Sequence, residues 1–181
     1  PILPVRKELG VRTVFNLLGP LCNPAGARRQ LIGVGDPDAL ELVAGALAEL
    51  GTDHALVVSS RDGLDELSIS APTDAIEIRD GSMVNLVISP DEVGVDPGEL
   101  STIAGGEPSE NAAVIRSVFA GKPGPATEVS VLNAGAAIYV AGIASTVEEG
   151  VVFARQALES GATARTLDHL VELSSREATA A

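Results

Sequence analysis

The chain has 181 residues, 45% apolar and 20% charged, enough for one domain with a core and unlike a disordered composition. Aromatics make up only 2%, which argues against base-stacking nucleic-acid modules. A net charge of −13 argues against a duplex-binding surface, because such a surface needs clustered cations.

Cys22 is the only cysteine, so neither an intramolecular disulfide nor a thiolate zinc site can be built within the chain. Val129 to Ala144 is the most apolar stretch, but it is short and interrupted by Asn133, Gly135 and Gly142, so no membrane span is expected. Pro1 to Pro4 lacks the basic start and long apolar run of a signal peptide. The expectation is a soluble, cytoplasmic protein, and the start without Met in a helix-like segment suggests a fragment.

Val5 to Gly10 reads as a short helix closed by Gly10, and Thr13 to Leu18 as a second. Gly19 to Gly26 holds two Pro and an Asn and must be an irregular loop, with Cys22 expected as a small buried side chain in it. Gln30–Val34 reads as a buried strand. Asp36 can cap a helix with Pro37 at its first position, and Leu40, Val43, Ala44, Leu47 and Leu50 follow at helical spacing up to Gly51. His54–Val58 is a second strand, completing a βαβ unit whose two strands should pair in parallel.

Ala75–Ile78 and Val84–Ile88 flank Asp80-Gly81, the signature of a tight hairpin. Residues 89–106 read as connecting loop. Helices are predicted over 109–120, with Ser109 as cap, and over 128–142, 146–160 and 163–173. The segment 128–141 is apolar nearly all round and should be buried. The fold class is therefore α/β, a mixed and mostly parallel sheet flanked by helices. Residues 1–175 form the domain and 176–181 a frayed tail.

Three constellations can carry chemistry. Asp62-Gly63-Leu64-Asp65-Glu66 follows the second strand, and ligands of open α/β sheets sit outside the carboxyl ends of strands. Adjacent carboxylates suit Mg²⁺, which takes one or two of them and completes its shell with water and phosphate. A solvated acidic turn is the competing reading. Arg6, with Lys7 and Arg12, can clamp a carboxylate or phosphate, or can simply serve the helix surface. The loop Asn16 to Pro24 can form a pocket wall or a structural corner, with Asn23 bonding its own backbone. His54 and His169 have no spaced partners and read as structural. Ser59-Ser60 can meet a phosphate or cap a turn. Gly33-Val34-Gly35 lacks the further glycine of a dinucleotide fingerprint.

Val5 to Pro24 (VRKELGVRTVFNLLGPLCNP) and Asp62 to Glu66 resemble motifs of the anthranilate phosphoribosyltransferases. Gly105-Gly106 with Glu110-Asn111-Ala112, and Leu132-Asn133-Ala134-Gly135-Ala136-Ala137, extend the resemblance in order to about Leu173. It implies the C-terminal α/β portion of a phosphoribosyltransferase and nucleoside-phosphorylase-like fold. The family's N-terminal helical domain and its glycine-rich donor loop would lie upstream, so residues 1–175 would be a partial catalytic domain, expected to be inactive by itself.

By the same resemblance, the reaction moves a phosphoribosyl group from phosphoribosyl pyrophosphate to the amino group of anthranilate in tryptophan biosynthesis, with Mg²⁺. Arg6 would bind anthranilate, Pro20 would line its channel, and Asp65 and Glu66 would hold the metal of the donor. No protein nucleophile is implied. A homodimer is implied for the full-length enzyme. The chain departs from the family pattern at Ser59-Ser60-Arg61, where His-Gly usually precedes the acidic motif. A pyrimidine nucleoside phosphorylase and a non-catalytic packing or small-anion-binding domain are the alternatives.

Overall fold

A computed structural model describes residues 18–19 and 21–180. The helix expected at Val5–Gly10, most of the one at Thr13–Leu18, and both Arg6 and Pro20 lie outside the described residues.

Strand β1 (Arg29–Gly33) leads through a short 3₁₀ turn (Pro37–Ala39) into helix α1 (Leu40–Glu49), and β2 (His54–Ser60) returns beside β1. Asp36 caps the turn, its carboxylate accepting from the N–H of Asp38 at 3.2 Å. β1 and β2 pair in parallel, with Leu31 opposite Leu56, as a βαβ crossover requires. β3 (Thr73–Arg79) and β4 (Ser82–Ile88) form the predicted hairpin, and Asp80 and Gly81 both take positive φ, 51° and 77°. That is the turn whose twist matches the strands it joins.

The sheet order is β1-β2-β3-β4, and two of its three pairings are antiparallel. The sheet is mixed as expected, but among the described strands it is not mostly parallel. The physical reason is connection length: only β1 and β2 are separated by a helix, and the two-residue turn after β3 permits nothing but antiparallel return.

All of β2 is buried, and its alternate residues feed two cores. Ala55 and Val57 pack with Val43, Ala44 and Leu47 of α1. Leu56 and Val58 pack on the other face with residues from the C-terminal helices. These are α2 (Pro108–Phe119), α3 (Pro125–Val140), α4 (Val147–Glu159) and α5 (Ala162–Ala180). α2 begins one residue earlier than predicted and is capped by Glu107, not Ser109, in a capping box with Glu110. Pro108 explains the shift, since a residue without an N–H suits the first helical position. The last helix continues to Ala180, past the predicted 173.

α3 is buried or half-buried along most of its length, as its composition predicts, and is exposed at Pro125, Ser130, Ala134 and Ala137. It is tied to α4 twice. Glu128, nearly buried, takes both guanidinium nitrogens of Arg155 at 2.9 and 2.6 Å and the N–H of Asp96 at 3.1 Å. This pairing holds the Glu128 carboxyl below its usual range against the opposing effect of burial. The second tie is a crossing of backbones at Gly135 and Gly150, where a Cβ on Gly135 would lie 2.6 Å from the Val151 nitrogen. A Cβ on Gly150 would strike the Gly135 carbonyl. No helix among the described residues is long and apolar enough to cross a membrane.

The glycine crossing predicts a specific cost. Gly150→Ala should destabilise the domain by about 1–3 kcal/mol, because the backbone it meets cannot give way as a side chain would. Thermal or urea unfolding, compared with Gly45→Ala at an open position of α1, measures it.

Candidate functional site

The carboxyl ends of β1 and β2 lie side by side, and the chain leaves β2 there through a tight loop. The N–H of Ser60 donates to the Leu64 carbonyl at 3.0 Å, and Gly63, at φ 95°, donates back to Ser60. Only glycine takes that backbone conformation readily. The loop is then pinned by Asp62, whose carboxylate accepts from the Ser68 hydroxyl at 2.6 Å, the Ser70 hydroxyl and the N–H of Leu64 at 3.3 Å. Burial by itself would raise the Asp62 carboxyl, but these donors stabilise its charged form and bring it down to about 2. The buried Ser60 hydroxyl lies close enough to act on the same charge, although it makes no hydrogen bond of normal geometry.

Asp65 and Glu66 are the next carboxylates along, and both are exposed. Neither has a hydrogen-bond or cationic partner among the described residues. Glu66 is raised above its usual range by burial and by the adjacent charge of Asp65. Their backbone is nonetheless tightly held. A Cβ on Gly33 at the end of β1 would fall on the Asp65 carbonyl, so the loop seats directly on β1. Just beyond Glu66, both backbone polar groups of Leu67 are taken by Asn133 of α3, at 3.0 and 2.9 Å.

Two unpaired neighbouring carboxylates on a fixed backbone fit a hard divalent cation. No group of three or more metal-ligating side chains exists among the described residues. Such a donor pair suits Mg²⁺, which keeps several positions for water or phosphate oxygens.

Gly19 and Leu21, expected in an irregular loop, are helical, with the Cys22 N–H donating to the Leu18 carbonyl at 3.0 Å, and the turn over 22–25 that follows approaches the same place. A cavity of about 500 Å³ is lined by Gly19, Cys22, Asn23, Pro24 and β1 residues up to Gly33, the residue against which Asp65 sits. Asn23 bonds its own loop, accepting from the Ala25 N–H at 3.0 Å. Cys22 is exposed, not buried as expected, because the loop stands at the sheet's rim. The larger cavity, about 560 Å³, lies between Pro37–Glu41 and strands β3 and β4 and contains neither Asp65 nor Glu66.

His54 lies at the far end of β2. Its Nε2 is 2.8 Å from Glu77, which also accepts from the Tyr139 hydroxyl at 2.5 Å, and the cluster ties α3 to the sheet. Its structural role matches the expectation.

Residues 1–164 match the family described as "Glycosyl transferase family, a/b domain". The chain belongs to this family.

Within this glycosyl transferase family, the chain is similar to the anthranilate phosphoribosyltransferases. It is 48% identical over 166 residues to that of Thioalkalivibrio sulfidiphilus, covering 92% of the chain and 49% of the relative. It is 46% identical over 175 residues to that of Symbiobacterium thermophilum, covering 97% and 51%. The crystal structure of the Thermus thermophilus enzyme superposes with a TM-score of 0.86 at 42% identity, over 93% of the chain and 50% of that structure. The Saccharomyces cerevisiae enzyme in complex with PRPP and Mg superposes at 0.84 and 27% identity, over 94% and 50%. The chain thus spans about half the length of the curated relatives it matches.

Sequence reasoning placed Asp65 and Glu66 at this end of the sheet but missed their supports. Ser68 and Ser70 carried one signal, hydroxyls alternating with a buried Ile69. Gly33, set aside as a weak nucleotide loop, marks a close backbone approach. Asn133 stood out only as a polar residue in an apolar helix.

The Asp62 anchor makes stability depend on pH. Its folded carboxyl lies below the ordinary value, so its contribution is present above about pH 4 and is lost as pH falls toward about 2. Asp62→Asn should cost about 1–2 kcal/mol at pH 7, discounted for partial solvent screening. The deficit should shrink in urea unfolding at pH 3.

Proposed function

We propose that this chain is the C-terminal catalytic portion of an anthranilate phosphoribosyltransferase, working in the full-length enzyme with Mg²⁺. Arg6 and Pro20 serve anthranilate, and Asp65 and Glu66 serve the metal of phosphoribosyl pyrophosphate. The observation that carries this reading is the acidic pair, without a partner among the described residues and held rigidly at the carboxyl ends of the parallel strands. The named relatives support it, as does the yeast enzyme's structure with PRPP and Mg. Another structure of that enzyme is in complex with 4-fluoroanthranilate.

In this reading, bound Mg²⁺ supplies Lewis-acid stabilisation for the charge of the departing pyrophosphate. Asp65 and Glu66 provide hard oxygen ligands and fix where that charge must develop. Arg6 pairs with the anthranilate carboxylate through a bidentate guanidinium and turns the amine toward the sugar carbon. The amine attacks that carbon, the bond to pyrophosphate breaks, and the amine's extra proton is lost. Positioning of the two substrates therefore does much of the catalytic work. The proposed setting is the cytoplasm, and the proposed full-length form, implied by the resemblance, is a homodimer.

The relatives named are all anthranilate enzymes, so neither the nucleoside-phosphorylase reading nor the packing-domain reading is favoured.

The test uses this chain joined to the upstream half that its relatives carry, with saturation curves for each substrate at several Mg²⁺ concentrations. Asp65→Asn with Glu66→Gln should weaken magnesium activation and use of the pyrophosphate donor. Arg6→Ala should weaken anthranilate binding by about 1.5–3 kcal/mol, roughly ten- to a hundredfold, through loss of a charge-assisted clamp. Unchanged magnesium dependence in the first variant and an unmoved anthranilate curve in the second would remove the assignment.

A further inference from the structure

We infer that Asn133 is a positioning residue for the acidic pair, holding the Asp65-Glu66 backbone from the helix side; this rests on the metal-binding reading above. Asn133 projects from the middle of α3, where neighbours Val131, Leu132, Gly135 and Ala136 are buried. A polar group at such a place is costly unless its bonds are made. All the bonds it makes run to backbone. Oδ1 accepts from the Leu67 N–H at 3.0 Å, and Nδ2 donates to the Leu67 carbonyl at 2.9 Å and to the Val129 carbonyl at 3.0 Å. The network fixes the amide orientation, because the opposite flip would face N–H to N–H and oxygen to carbonyl.

Leu67 is outside the strands and fully buried, so without Asn133 its N–H and carbonyl would lack the partners that a ladder supplies. It is also the residue directly after Glu66. On the other side, the Asp65 carbonyl occupies the space that a Cβ on Gly33 would fill. The two carboxylates therefore hang from a span of backbone clamped by α3 at one end and β1 at the other. α3 is itself held on its opposite side, since Gly135, two residues and about 200° further round the helix, packs against Gly150 of α4.

A cation such as Mg²⁺ demands near-octahedral geometry with short bonds, so a small displacement of its ligands' backbone is felt directly. Groups that orient metal ligands are worth roughly ten- to a hundredfold in metal affinity. Asn133 has the geometry of such a group and touches no reacting atom.

The experiment compares four forms of the chain joined to its upstream half: wild type, Asn133→Ala, Asp65→Asn with Glu66→Gln, and all three substitutions together. Calorimetric titration with magnesium pyrophosphate and, separately, with anthranilate gives the affinities. Asn133→Ala should weaken magnesium pyrophosphate roughly ten- to a hundredfold. It should leave anthranilate unmoved and add nothing in the acidic-pair background. An equal loss for both ligands, the same loss repeated in that background, or no loss overturns the positioning role while leaving the acidic pair in place. If the acidic-pair variant itself bound magnesium pyrophosphate like wild type, the metal reading would fail, and this inference with it. Should Asn133→Ala not fold, Asn133→Ser, which keeps a hydroxyl for the Val129 carbonyl and a small helical side chain, is read by the same outcomes.

Discussion

Two like charges set side by side on one short loop are the constraint around which this end of the sheet is arranged. Asp65 and Glu66 repel each other, and burial adds to the cost at Glu66. A flexible loop would relieve that repulsion by turning the carboxylates apart into water. Here the backbone has no such freedom. Gly33 receives it on β1, Asn133 receives it on α3, and the Asp62 carboxylate gathers the hydroxyls of Ser68 and Ser70 beneath it. Both carboxylates stay exposed on this fixed backbone, where a divalent cation would relieve their repulsion.

The rest of the fold serves this arrangement from two sides. β2 is buried on both faces and delivers the loop at its carboxyl end. α1 closes one face, and the α3–α4 pair closes the other. The glycine crossing of α3 and α4 brings their backbones together, while the Glu128–Arg155 pair fixes their relative position at the helix start. The His54–Glu77–Tyr139 cluster fastens α3 to the sheet at the end remote from the loop. Because α3 is anchored along its length, the amide of Asn133 meets Leu67 from a fixed direction.

The departure at Ser59-Ser60-Arg61 acquires a local explanation. Ser59 and Ser60 continue β2 as small buried residues, which leaves Ser60 beside the Asp62 charge. Arg61 turns outward and forms a forked pair with Asp74 at the start of β3, at 2.7 and 3.0 Å. The loop is thereby fastened across the sheet as well as along it. This pair is solvent-exposed, so it serves geometry more than stability.

Local chemistry made much of this legible from the residues alone. The βαβ unit followed from the 3.6-residue spacing between two short apolar runs, and the hairpin from Asp80-Gly81. The acidic motif could be placed at a strand's carboxyl end because it directly follows β2. What the residues did not disclose were contacts between positions far apart in the chain. Asn133 lies 66 residues from Leu67, and nothing in an apolar helix states which backbone its one amide will meet. In sequence Gly33 reads as half of a nucleotide loop, and only the fold sets the Asp65 carbonyl against it. The balance of parallel and antiparallel pairing likewise depended on which strands became neighbours. Periodicity and turn chemistry act over a few residues and are written in sequence. Close backbone approach and the satisfaction of buried polar groups exist only once distant segments pack, so tertiary structure alone decided them.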